Sequence, residues 1–278
     1  MAFSELPTPP RPSGFEDQGQ KPPGALRLLV GTYLPFILSA LWAAIVIRLI
    51  AREPRYALPI AVLALLWIVP LALQRVRQRR MLMRGNVPEV LEAWAPMLST
   101  TPYPETLQPL LVATAYAANG WVEQARESAR RARKGEAWSA AEEQRRILDT
   151  LIEAFDGDRE RAVRLAQDLV DLPLPAVGVF LRRRIAVLRA GLGALARAFA
   201  RVAEPNDRRI LMAAAKSSPL LHWAFSYAAA VAAIDEGDVH TARRAIAGAP
   251  SWPPSSVFRA FHAELEQQIA RLDAIRRA

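Results

Sequence analysis

The segment LLVATAYAANGWVEQARESARRA, residues 110–132, decides the fold class. Small and apolar residues fall at helical spacing as far as Asn119, Gly120 can close a helix in the left-handed conformation, and an Ala- and charge-rich stretch opens a second helix after it. Ala125 lies early in that second helix, where a larger side chain would hold the two helices apart. The Gly with an Ala five residues later recurs as Gly157 with Ala162, Gly193 with Ala198, and Gly237 with Ala242. The glycines are 37, 36 and 44 residues apart. Self-similarity at such a period marks stacked supersecondary units, and each Gly is expected to sit in a turn between two helices. No segment alternates β-branched residues with period two, so the fold class is all-α.

This pattern resembles the tetratricopeptide repeat. In the best copy Ala113, Tyr116, Gly120, Ala125, Ala129 and Ala132 follow the family's small–aromatic–Gly–Ala–small–Ala order. The second copy keeps Gly157, Ala162 and Pro173 but has Glu153 where the aromatic belongs. The third keeps Ala186, Gly193, Ala198 and Pro205, and the fourth Ala230, Gly237, Ala242 and Pro250. The resemblance covers residues 104–250. It implies an α-solenoid whose first helices line a groove for a peptide or helix of a partner. The groove positions would be Thr114 and Ala117, then Gln144, Ile147 and Leu151, then Arg183 and Val187, then Tyr227 and Val231. Gln144, Arg183 and Tyr227 are the candidate partner contacts. The set is mainly apolar and lacks the Lys, Arg and Asn cluster that grips a terminal carboxylate in some family members. An amphipathic helix or apolar peptide is therefore the expected partner, rather than an acidic tail.

Beyond the repeats, Phe258, Phe261, Leu265, Ile269 and Leu272 stand at spacings of three and four. They make one apolar face, expected to cap the last repeat. Asn86 precedes Glu89, and Ser139 precedes Glu142, at capping-box spacing. Asp158, Asn206 and Asp238 are expected N-caps.

Toward the N-terminus the composition changes. Residues 1–27 hold Pro7, Pro9, Pro10, Pro12, Pro22 and Pro23 among Gly, Ser and Gln, a composition that cannot bury a core and is expected to be disordered. Two uncharged runs follow, Leu28 to Ile47 and Tyr56 to Gln74. Each has the length of a membrane span, and the eight-residue link makes them a transmembrane hairpin within residues 28–84. Lys21 and Arg27, with Arg75, Arg77, Arg79, Arg80 and Arg84, outnumber Arg48, Arg52 and Arg55 in the link, so both termini are expected on the cytoplasmic side of an inner membrane. The last five arginines would meet anionic lipid headgroups, and residues 85–278 would form a cytoplasmic repeat domain.

The formal net charge of +9 sits mostly in residues 28–84, where eight Arg face the single acid Glu53. A nucleic-acid-binding domain needs its basic face on the folded domain, so none is expected here. There are no cysteines, which excludes disulfides and thiolate chemistry. Arg far outnumbers Lys and Ala is abundant, the bias of a GC-rich bacterial genome. His222, His240 and His262 lack metal-ligand spacing, and no nucleotide or nucleophile-elbow motif occurs. The run Arg182–Arg184 with Arg189 is a basic patch on one helix, read as a solvated face or a contact for acidic groups. The expected protein has no cofactor, no metal and no catalysis. It is a membrane-anchored adaptor that binds a protein partner, or else an accessory subunit of a membrane enzyme or transporter docking through its hairpin.

Overall fold

The computed structural model describes residues 57–277 together with Leu41, Trp42, Arg48, Glu53 and Arg55. The Pro-rich tail and the first apolar run therefore lie outside the described residues, apart from Leu41 and Trp42. All described regular structure is helical: α1 (Ala57–Met83), α2 (Val87–Ser99), α3 (Pro104–Ala118), α4 (Val122–Ala132), α5 (Glu142–Asp156), α6 (Arg159–Asp171), α7 (Val179–Phe199), α8 (Asp207–Ser217), α9 (His222–Asp235), α10 (Val239–Ile246) and α11 (Phe258–Arg277). The chain divides into two compact units at Pro70–Leu71, inside α1.

In the first unit, the described part of α1 exposes Val62, Leu65, Leu66, Trp67, Ile68 and Val69. Among the described residues no helix is long and apolar enough to cross a membrane. The expected hairpin, with its spans at residues 28–47 and 56–74, is corrected accordingly. The physical reason lies in α1, which is not an apolar rod ending at a bilayer edge. It continues unbroken through Arg75, Arg77, Arg79 and Arg80 to Met83. Two of the five arginines expected at lipid headgroups bond to protein instead: Arg79 donates to the Lys216 carbonyl at 3.3 Å, and Arg84 lies 3.6 Å from the Glu89 carboxylate. The inner-membrane location, the bilayer and headgroup contacts, the membrane anchoring of the adaptor and docking through a hairpin fall with the spans.

The second unit packs as helical hairpins in series. The pairs α3–α4, α5–α6, α7–α8 and α9–α10 pack closely, α9 lying as close to α8 as to α10, and each first helix also packs on the next, α3 on α5, α5 on α7 and α7 on α9. Each second helix packs on the following first helix. This is the packing of an α-solenoid. Three of the four internal turns share one device. Gly120 donates to Ala117 O while Trp121 donates to Tyr116 O, and Gly237 donates to Ile234 O while Asp238 donates to Ala233 O. Both glycines have positive φ, so the last carbonyls of α3 and α9 are satisfied by a Schellman motif.

The third turn departs from the expected register. Gly193 lies inside α7, and Ala198 is buried in its last turn. The turn falls at Arg201, which has φ 60° and makes the same pair of bonds, Arg201 N to Ala198 O and Val202 N to Arg197 O. A left-handed Arg costs about 1 kcal/mol, and its guanidinium is held by Asp235 at 2.5 Å. The α5–α6 turn is different again: Gly157 is extended, and Glu153 reaches over it to accept from the Asp158 N–H at 2.9 Å. Asp158 and Asp238 cap α6 and α10 through Arg161 N and Thr241 N, both at 3.0 Å. Asn206 makes no side-chain cap bond. Its neighbour Asp207 is fully buried instead, paired with Arg197 and accepting from Glu204 N at 2.8 Å.

The end of α1 is fastened to the fourth hairpin. The Trp223 indole N–H donates to Met83 O at 2.6 Å, beside His222, whose Nδ1 lies 3.1 Å from Ala215 O. Burial holds the His222 pKa below the ordinary histidine value, opposed by that hydrogen bond. The neutral form is thus favoured in the folded state, so stability present above the unfolded pKa is lost as pH falls through the unfolded value toward the folded one. Denaturation of the full chain at pH 7.5 and pH 5.5 should show this loss, and His222→Gln should reduce it; an unchanged slope in the variant would exclude His222 as its source.

The two Schellman glycines give a paired test. At Gly237 an added Cβ meets nothing within 4 Å, whereas at Gly120 it would lie 2.8 Å from Ser256 Oγ and 3.0 Å from the Phe258 ring. Gly237→Ala should cost about 1 kcal/mol for backbone alone. Gly120→Ala should cost clearly more, about 2–3 kcal/mol, because the Phe258 seat is also disturbed. Urea denaturation of the two variants decides it, and equal losses would deny the contact any weight.

Candidate functional site

The expected groove is not vacant. After α10 the chain returns across the ends of the first helices: Val257 N donates to Gly120 O at 2.9 Å, and Ser256 Oγ donates to Asn119 O at 2.7 Å. α11 then packs mainly on α9 and α10 of the fourth hairpin and reaches the second and third through aromatic side chains. Phe258 packs edge-on against Phe155 at the end of α5 and against Tyr227 on α9, Phe261 lies 5.5 Å from Phe199 at the end of α7, and Arg276 reaches Gly237 O beyond α9. The helix thus caps the last repeat, as expected, and also touches the two before it.

At the centre of this seam Tyr227 is fully buried. Its hydroxyl accepts from Trp252 Nε1 at 2.6 Å and lies 3.2 Å from His262 Nδ1. Donation from Tyr227 to Nδ1 leaves His262 Nε2–H for Glu266 at 3.4 Å. Burial raises the Tyr227 pKa far above the phenol range. Tyr227 is therefore placed in the core. Ala117, Leu151 and Val231 are also buried, and Thr114, Ile147 and Val187 are half-buried. Of the positions expected to line the groove, four are therefore buried, and Tyr227 is covered by Phe258 and His262 of α11.

Two candidate contacts remain on the surface, Gln144 near the start of α5 and Arg183 near the start of α7. α7 has 21 residues, against 15, 15 and 14 for α3, α5 and α9. Its extra length projects at the N-terminal end. Arg189, ten residues after Val179, is level with the start of α5: its Nε donates to Glu143 at 3.0 Å, and its Nη1 donates to Leu172 O at 2.6 Å. Nearly three turns of α7 thus precede this bond to α5. Residues 176–184 are exposed without interruption. Phe180 and Val179 are 83% and 80% exposed, the highest values among the described large apolar side chains.

Arg189 itself is buried, 3% exposed, so it does not belong with Arg182–Arg184 as one basic face. The latter three are exposed, and none has a carboxylate within ion-pair distance among the described residues. This projection was half legible: the arginine run stood out in the sequence, but nothing in the sequence singled out Val177, Val179, Phe180 and Leu181. Only the length of α7 relative to its neighbours exposes them.

No protein-family model matches the chain, and comparisons with curated proteins and with solved structures return no match. The likeness to tetratricopeptide repeats is thus one of architecture, stacked helical hairpins, without a family assignment.

Arg189 is the fixing point of the projection. Arg189→Ala should cost about 2–3 kcal/mol by stranding Glu143 and two loop carbonyls. It should also speed amide hydrogen exchange across residues 172–182 while leaving α3 and α4 protected. Uniform acceleration over the whole domain would mean that Arg189 holds the core rather than the projection.

Proposed function

We propose that this protein is a non-catalytic helical-repeat scaffold that binds a protein partner on the outside of its hairpin stack. The observation that carries this reading is the division of apolar surface: α11 buries its aromatic face against the stack, while Phe180 and Val179 stand in solvent on a helix whose base is fixed by Arg189. Exposed apolar side chains rimmed by polar ones mark interaction sites. The polar groups that could have carried chemistry have structural occupations. His222 serves Ala215 O, His262 serves Tyr227, Glu143 serves Arg189, and Asp207 serves Arg197. This supports the reading of a protein that works by binding.

The test is isolation of the tagged full chain from its native host, with cross-linking and mass spectrometry of what remains bound. A stoichiometric protein partner is expected, with cross-links concentrated around the first turns of α5 and α7, where Gln144 and Arg183 lie. Recovery of the chain alone, or cross-links concentrated on α11, would overturn the proposal.

A further inference from the structure

The projecting start of α7 carries enough chemistry to say what kind of partner it fits. Ala176 to Arg184 is a ridge without neighbours: at Gly178 an added Cβ would meet nothing within 4 Å, and Val177, Val179, Phe180 and Leu181 are 39%, 80%, 83% and 50% exposed. Further along α7, the flanks of the helix are covered by α5, α6, α8 and α9. The first two turns lack that cover, so a helix laid beside them would continue the packing already used along the stack. Burying a Phe, Val or Leu side chain in such a contact is favourable by about 1.5–3 kcal/mol each.

Charge narrows the partner. Arg182, Arg183 and Arg184 follow the apolar residues directly and have no carboxylate partner among the described residues. α7, like α1, α9, α10 and α11, has no acid in its first turn, but it alone follows that turn with three consecutive arginines. Three cations near the positive end of a helix dipole are unfavourable alone and are relieved by an approaching carboxylate. The helices that pack on α7 carry exposed charges of both signs, Asp168 and Asp171 on the last turns of α6 and Glu142 at the start of α5 beside Arg146. An apolar centre with a mixed polar rim fits a protein surface, whereas the acids would repel an anionic bilayer.

We infer that the start of α7 docks an amphipathic helix of a protein partner, its apolar face on Val179, Phe180 and Leu181 and its flanking Asp or Glu side chains on Arg182–Arg184. This rests on the scaffold reading above and names the site and the chemistry of its partner.

The experiment uses the full chain and two synthetic 18-residue helices, one with Leu at spacings of three and four and Glu on both flanks, the other with Lys in place of every Glu. Binding is followed by fluorescence anisotropy at two salt concentrations. The Glu helix should bind, and more weakly at high salt. The Lys helix should bind at least tenfold more weakly. Phe180→Asp should cost at least tenfold, with the circular dichroism melt unchanged because the side chain is exposed. Reversal of the three arginines (R182E, R183E and R184E together) should exchange the preference, so that the Lys helix binds better. Equal binding of the two helices, no binding by either, or indifference to Phe180→Asp would overturn the proposal. So would sedimentation with phosphatidylglycerol vesicles that depends on Phe180 and the arginines while neither helix binds, since the ridge would then be a lipid contact. A native partner still held by the charge-reversed chain would remove this site and leave the scaffold reading standing. Peptide binding as expected, with no native partner recovered, would do the reverse.

Discussion

The fold depends on one seam. Phe258 enters between Tyr227, Trp252 and Phe155 with ring centroids 5.1 Å away in each case, and two hydrogen bonds fix the chain just before it to the α3–α4 turn. A fully buried Phe is stabilising by about 2–3 kcal/mol from burial alone, and here it sits where the first, second and fourth hairpins meet. Because the Trp252 N–H and the Tyr227 hydroxyl satisfy each other, the seam buries polar atoms without stranding them. A stack of hairpins open on its inner face would leave Phe155, Phe199 and Tyr227 in water. With α11 in place, all three are 5% exposed or less.

The same seam decides where binding can occur. In an open solenoid the concave face is available, and its residues can be read from positions on the first helices. Here those positions fall into three groups: buried, half-buried along the first helices, or exposed at the starts of α5 and α7. Only the last group is free, and it is the region where α7 outgrows its neighbours. Function is thereby displaced from the inside of the stack to one edge of it, and the displacement follows from packing rather than from any special chemistry of the exposed residues.

Much of the architecture was legible because it rests on local constraints. Gly120 and Gly237 close helices by left-handed backbone, Asp158 and Asp238 cap, and Ala125, Ala162 and Ala242 are fully buried where α4, α6 and α10 pack. The third repeat was misplaced for the same local reason. Gly193 with Ala198 imitates the motif, while the true turn at Arg201 uses a residue that sterics disfavour and an ion pair that spans 34 positions. The membrane expectation rested on apolar length alone, which says nothing of what a helix is continuous with or what its arginines bond to. The cover over Tyr227 was not legible either. The spacing of Phe258, Phe261 and Leu265 shows an apolar face but not which face receives it. The site was legible through Arg182–Arg184 and obscured at Phe180, since exposure of an apolar residue depends on how far the adjacent helices reach.

An open solenoid is quasi-one-dimensional, each unit meeting only the next, so its ends can fray independently of its middle. Here the bonds that join Ser256 to Asn119 and Trp223 to Met83 link positions 137 and 140 residues apart. Loop closure over such separations is an entropic cost met before the contacts repay it. The hairpins can therefore form early and locally, but the assembled domain is a ring whose last link lies near the end of the chain. During synthesis the nascent stack must wait, with its aromatic face open, until residues 252–277 have left the ribosome. Once they lock in, the first and fourth hairpins are coupled through Phe258 and Ser256 as well as through the helices between them.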